Sequence, residues 1–101
     1  MTKYDKLVRD LIPEIIAAKG GEAKTHIAEQ EEYKKKLREK LQEEVAEFLE
    51  SGTPEELADV MEVVYALGEI AGVNPADLER IRAAKATERG GFEKKIILEE
   101  S

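Results

Sequence analysis

The sequence predicts a mostly α-helical chain of 101 residues, one domain spanning 1–101, with a four-helix core and a minor β hairpin. Apolar residues recur at helical spacing through two long runs, residues 30–50 and 54–71. Glycines, prolines and capping residues separate these from two further helical segments. Lys24-Thr25-His26-Ile27 shows no helical stripe, and residues 92–98, ending in Ile96-Ile97-Leu98, read as a strand that pairs with it.

The first helix is expected over residues 10–19, with Asp10 as cap, Pro13 inside the first turn and Gly20-Gly21 as the stop. In the second, Tyr33, Leu37, Leu41, Val45 and Phe48 form one apolar stripe. Ser51-Gly52-Thr53-Pro54 then marks a tight turn: Gly52 stops the helix, Thr53 caps the next, and Pro54 takes the first helical position, where its missing N–H does no harm. The third helix has two adjoining stripes. Leu57, Val60, Met61, Val64, Leu67 and Ala71 make one; Val63, Ala66 and Ile70 make the other. A helix apolar on most of its circumference is buried on more than one side, so this is expected to be the central helix, with Tyr65 in the core or an interface. Gly72 ends it, Asn74-Pro75-Ala76-Asp77 caps a fourth, and Gly90-Gly91 stops that one after Arg89.

Against this frame, four acids stand out: Glu44-x-x-Glu47 and Glu56-x-x-Asp59. Residues three apart are neighbours on a helix surface, so each pair can offer oxygens to one ion. Carboxylates supply hard divalent cations with both ligand atoms and charge, and an antiparallel hairpin would bring the two pairs together. Glu44 falls in the middle of the apolar stripe of its helix, where an ionised carboxylate costs several kcal/mol unless it is paired, hydrogen-bonded or metal-bound. Glu47 and Lys40 lie at the stripe's edge, with Glu43 slightly beyond. Glu56 and Asp59 continue the second stripe of the third helix. Thr53-x-x-Glu56 also fits a capping box, which would account for Glu56 without chemistry. Glu31, Glu32, Lys34, Lys35, Lys36, Arg38, Glu39 and Glu50 read as a solvated face.

Lys40-Leu-Gln-Glu43-Glu44-Val-Ala-Glu47 followed by Glu56-Leu-Ala-Asp59 resembles the E-x-x-E…E-x-x-D signature of the all-α nucleoside triphosphate pyrophosphohydrolases, the MazG-like superfamily that includes the phosphoribosyl-ATP pyrophosphohydrolases. Tyr4-Asp-Lys6-Leu-Val-Arg9-Asp10-Leu-Ile-Pro13 and Lys85-Ala-Thr-Glu88-Arg89-Gly90-Gly91-Phe92 resemble a small predicted house-cleaning branch of it, and the likeness covers nearly the whole chain. The resemblance implies that Glu44, Glu47, Glu56 and Asp59 hold Mg2+, with Mn2+ as the substitute, and that Glu43 stands near the attacking water. It implies hydrolysis of a nucleoside triphosphate to the monophosphate and pyrophosphate. Only eight residues separate Glu47 from Glu56, fewer than the superfamily usually shows, so the hairpin must be tight.

A triphosphate carries more charge than one Mg2+ cancels, so basic groups are expected from outside the carboxylate cluster: Lys6, Arg9, Lys85 and Arg89, with Lys40 beside the acids themselves. His26, the only histidine, reads as a surface or packing residue. Gly90-Gly91 follows a helix and lacks a Gly-Lys-Ser/Thr sequence, so it reads as a helix stop rather than a phosphate cradle.

Composition sets the outer limits. With no cysteine there is no disulfide framework and no thiolate zinc site. The net charge of −7 argues against a general nucleic-acid binder. No stretch suits a membrane span or a signal peptide, so a cytoplasmic protein is expected, with a small nucleotide as partner rather than a nucleic acid or a membrane. The two-sided apolar third helix predicts a homodimer or higher homo-oligomer. Two other readings fit the same residues: hydrolysis of phosphoribosyl-ATP at the same acidic site, and a non-catalytic helical interaction or regulatory module whose acids are surface and caps.

Overall fold

The computed structural model describes residues 2–101. It is mostly helical, with four helices in chain order: α1 (Ile12–Ala18), α2 (Gln30–Ser51), α3 (Pro54–Ile70) and α4 (Pro75–Arg89). Among the described residues no helix is long and apolar enough to cross a membrane.

The α2–α3 hairpin is the body of the fold, and the turn chemistry makes it. Gly52 adopts φ 68°, a left-handed conformation that costs a residue with a Cβ about 1–2 kcal/mol, and its N–H closes on the Phe48 carbonyl at 2.7 Å. Thr53 then accepts from the Glu56 N–H, and Pro54 opens α3. Two helices joined by so short a link must run antiparallel, and they pack along their length. Leu37, 2% exposed, and Val63, 7% exposed, form the centre of that contact.

The α3–α4 connection is built as tightly. Val73 N–H returns to the Gly68 carbonyl at 2.9 Å and Gly72 N–H to that of Glu69 at 3.1 Å, the double closure of a Schellman motif. A Cβ on Gly68 would lie 3.3 Å from the Val73 carbonyl oxygen, a close approach that glycine makes without displacing the turn. Asn74 and Asp77 complete a reciprocal capping box at the start of α4. Beyond that turn α4 meets α3 only slightly, and among the described residues neither α1 nor α4 packs against α2.

Two expectations need correction. The strand pairing between Lys24-Thr25-His26-Ile27 and residues 92–98 is not formed, and there is no strand among the described residues. Ile27 is 95% exposed and Ile96, Ile97 and Leu98 are all exposed, so no apolar face stabilises a lone two-stranded hairpin, which is marginal in water. Asp10 does not cap α1. Leu11 holds the cap position without a side-chain bond, and the Ile12 N–H is taken by the Arg9 carbonyl at 3.0 Å. Within the chain α3 is partly covered: Val63 is buried and Val60, Val64 and Leu67 are half-buried, while Leu57 and Met61 are about half exposed.

The consequence is a large surface. The accessible area is 9000 Å2 for 11.3 kDa, against about 5,700 Å2 for a compact monomer of this mass. The radius of gyration is 17.6 Å, against about 13 Å for a compact chain of this length.

Candidate functional site

Glu44 is the one charged side chain buried in the hairpin, 7% exposed. Its position follows from helical phase, because it stands two turns from Leu37 and one from Leu41 on the side that α3 covers. Lys40, one turn earlier, reaches Glu44 Oε1 at 3.3 Å. Glu44 Oε2 has no hydrogen-bond partner and no solvent access. Burial, then the neighbouring Glu47 carboxylate, raise the pKa of Glu44 above the ordinary carboxylate value; Lys40 opposes them without cancelling them.

Across the hairpin, α3 presents Glu56 and Asp59. Thr53 accepts from the Glu56 backbone at 3.4 Å, but the Glu56 side chain does not return to the cap. Its carboxylate is therefore not spent on a capping box, and Glu56 Oε2 is likewise buried without a partner. Glu44, Glu56 and Asp59 each offer one oxygen, and the three lie within 4.8 Å of one another. Opposite oxygens around an octahedral Mg2+ stand about 4.2 Å apart, with ligands at about 2.1 Å.

The residues fit a hard divalent cation on two grounds. All donors are carboxylate oxygens, the ligands such ions take. Two of those side chains also bury an oxygen that nothing in the chain satisfies, which costs about 1–3 kcal/mol or more for each. Glu47 is exposed and stands outside the convergent three, beside Glu44.

Basic side chains surround the acids. Glu43, half-buried, accepts from Lys6 Nζ at 3.1 Å and from Lys40 Nζ at 3.4 Å. Burial pushes its pKa up, but the two ammonium groups outweigh this and hold it below the usual carboxylate value; in turn the bond to Glu43 raises Lys6. Arg9 Nη2 donates to Asp59 Oδ1 at 2.7 Å. Lys6, Arg9 and Lys40 thus stand at the cluster. Lys85 and Arg89 do not: both are exposed on α4 and neither forms an ion pair with an acid.

One contact lay outside the sequence reading. Lys36, assigned to the solvated face, donates to the Asp5 carbonyl at 2.5 Å and so fixes the segment that carries Lys6 and Arg9. The available signal was phase, since Lys36 and Lys40 are one turn apart beside Leu37. His26 is a surface residue, bonded to Glu32 at 2.9 Å. Comparison with protein-family models, with curated proteins and with solved structures finds no match.

Proposed function

We propose that the chain is a cytoplasmic, Mg2+-dependent nucleoside triphosphate pyrophosphohydrolase that clears non-standard nucleotides. The observation that carries this reading is the convergence of Glu44, Glu56 and Asp59, with buried oxygens on Glu44 and Glu56 left without partners. The nucleotide assignment rests on the resemblance of the two E-x-x-E/D motifs and their flanks to the MazG-like enzymes.

In this reading Glu44, Glu56 and Asp59 hold the ion, with Glu47 supplying charge from the rim. A divalent cation held by these residues would neutralise phosphate charge and polarise the phosphoryl oxygens. Glu43, kept ionised by Lys6 and Lys40, accepts a hydrogen bond from water and orients it toward the α-phosphorus. Water oxygen bonds to that phosphorus as its bond to the bridging oxygen breaks and the water's proton passes to the Glu43 carboxylate and on to solvent, leaving the monophosphate and pyrophosphate. Lys6, Arg9 and Lys40 face the phosphate chain from one side, and Lys85 and Arg89, which stand apart from the acids on α4, are the further basic pair available to it.

We infer that the working form is a homodimer or higher homo-oligomer. The excess surface of roughly 3,000 Å2 is on the scale that obligate interfaces bury. It does not come only from irregular segments: Val45, Leu57, Met61 and Ile81 are exposed on the helices themselves. A second copy of this chain, laid on the Leu57–Met61 side of α3, covers those side chains.

The deciding experiment is a substrate panel scored by pyrophosphate release, with standard and modified nucleoside triphosphates and phosphoribosyl-ATP, with and without Mg2+. Cation-dependent release from triphosphates supports the proposal. Release from phosphoribosyl-ATP alone moves the chain to histidine synthesis, and release from none leaves a helical binding module.

A further inference from the structure

Residues 3–9 form neither helix nor strand, yet three of them are tied to the hairpin. Asp5, at φ 45°, offers its carbonyl to Lys36; Lys6 reaches Glu43 on α2; Arg9 reaches Asp59 on α3. The segment therefore bridges both arms of the hairpin at the acidic cluster. Its apolar anchoring is slight, since Leu7 is half-buried while Tyr4 and Val8 are exposed. Charge holds it in place, through exposed pairs of a kind that are weak singly and screened by salt.

Asp59 has two claimants. It is one of the three acids whose oxygens converge, and it is the partner of Arg9. A guanidinium on Asp59 offsets one of the negative charges that attract a cation to Glu44, Glu56 and Asp59. A doubly charged ion in that cluster, in turn, repels the guanidinium beside it. Resting on the cation site proposed above, we propose that residues 5–9 are a strap displaced by cation binding: Arg9 neutralises Asp59 in the cation-free protein, and a divalent cation on Glu44, Glu56 and Asp59 releases Arg9 toward an anionic phosphate oxygen.

Linkage makes the coupling reciprocal. If the cation weakens the Arg9–Asp59 pair, Arg9 weakens cation binding by the same factor. Arg9 suits the second partner as well as the first, because its planar fork matches carboxylate and phosphate oxygens alike. The exchange orders events at the site, with the cation first and the phosphate grip second. Lys6 is not part of the exchange, since its partner Glu43 stands outside the three convergent acids, and it keeps the strap tethered when Arg9 leaves.

The test is calorimetric titration of the full chain with Mn2+ alone, comparing wild type with Arg9→Gln and Lys6→Gln at low salt. Both side chains are largely exposed, and circular dichroism checks that each variant is folded. Arg9→Gln is expected to tighten Mn2+ binding by about 1.5- to fivefold, the worth of an exposed pair, and Lys6→Gln to change it less. Affinity that is equal or weaker in Arg9→Gln overturns the strap while leaving the cation site standing. Absence of saturable Mn2+ binding in both wild type and Arg9→Gln overturns the site and the strap together.

Discussion

Glu44 and Glu56, on opposite arms of the α2–α3 hairpin, each bury a carboxylate oxygen that has neither solvent nor a hydrogen-bond partner. Asp59 brings a third oxygen within 4.8 Å of theirs. Carboxylates crowded in this way repel one another, and the hairpin holds them together because Leu37 and Val63 pack between the same helices.

Glu44→Gln and Asp59→Asn are expected to lower cation-dependent pyrophosphate release by about a hundredfold or more, since losing even an outer-shell partner of a metal ligand costs about 10–100-fold. Each removes a charge from a crowded cluster, so thermal unfolding without metal should be unchanged or shifted upward. Glu39→Gln serves as the control and should be nearly silent. Near-native activity of either site variant at saturating Mg2+ refutes the assignment.

Cation binding should also be visible without substrate. An ion that binds only the folded chain adds about 2.7 kcal/mol at a hundred times its dissociation constant. For a domain of this size that is a rise in Tm of roughly 10–20 °C. The rise should vanish with a chelator and be absent in Glu44→Gln. An unshifted melting curve at millimolar Mg2+ and Mn2+ would count against the site.

Sedimentation at micromolar concentration should give a dimer or larger species. Leu57→Asp, placed on the half-exposed Leu57–Met61 side of α3 and away from the Val63 contact, should shift the population to monomer by putting a charge where the second copy packs. A wild-type mass of one chain would remove the second copy from the proposal.

Lys85 and Arg89, four apart on one face of α4, are expected to act as a pair on the phosphate chain. Each charged hydrogen bond to phosphate is worth about 1.5–3 kcal/mol, so Lys85→Ala with Arg89→Ala should raise KM by about tenfold or more per residue and alter Mg2+ affinity much less. Unchanged kinetics would leave the grip to Lys6 and Arg9, the basic residues that stand at the acids within one chain.

The sequence by itself determined the turns that separate α2, α3 and α4. Gly52-Thr53-Pro54 and Gly72 with Asn74-Pro75 act through bonds to atoms a few residues away, so they read alike in a string of letters and in space. It also located Glu44 inside an apolar stripe, because helical phase is a property of one segment. Tertiary structure alone decided which acids converge: Glu47 has the same spacing credentials as its neighbours, yet the direction of α3 leaves it on the rim. It decided that Glu56 turns away from its cap, a choice between two partners equally reachable from one backbone position. It paired Arg9 with Asp59, 50 residues apart, and Lys6 with Glu43, 37 apart. It left residues 24–27 and 92–98 unpaired and Leu57 and Met61 of α3 about half exposed, because strand pairing and helix cover depend on which apolar surfaces meet. Those meetings are set by packing between distant segments, and periodicity within any one of them carries no record of it.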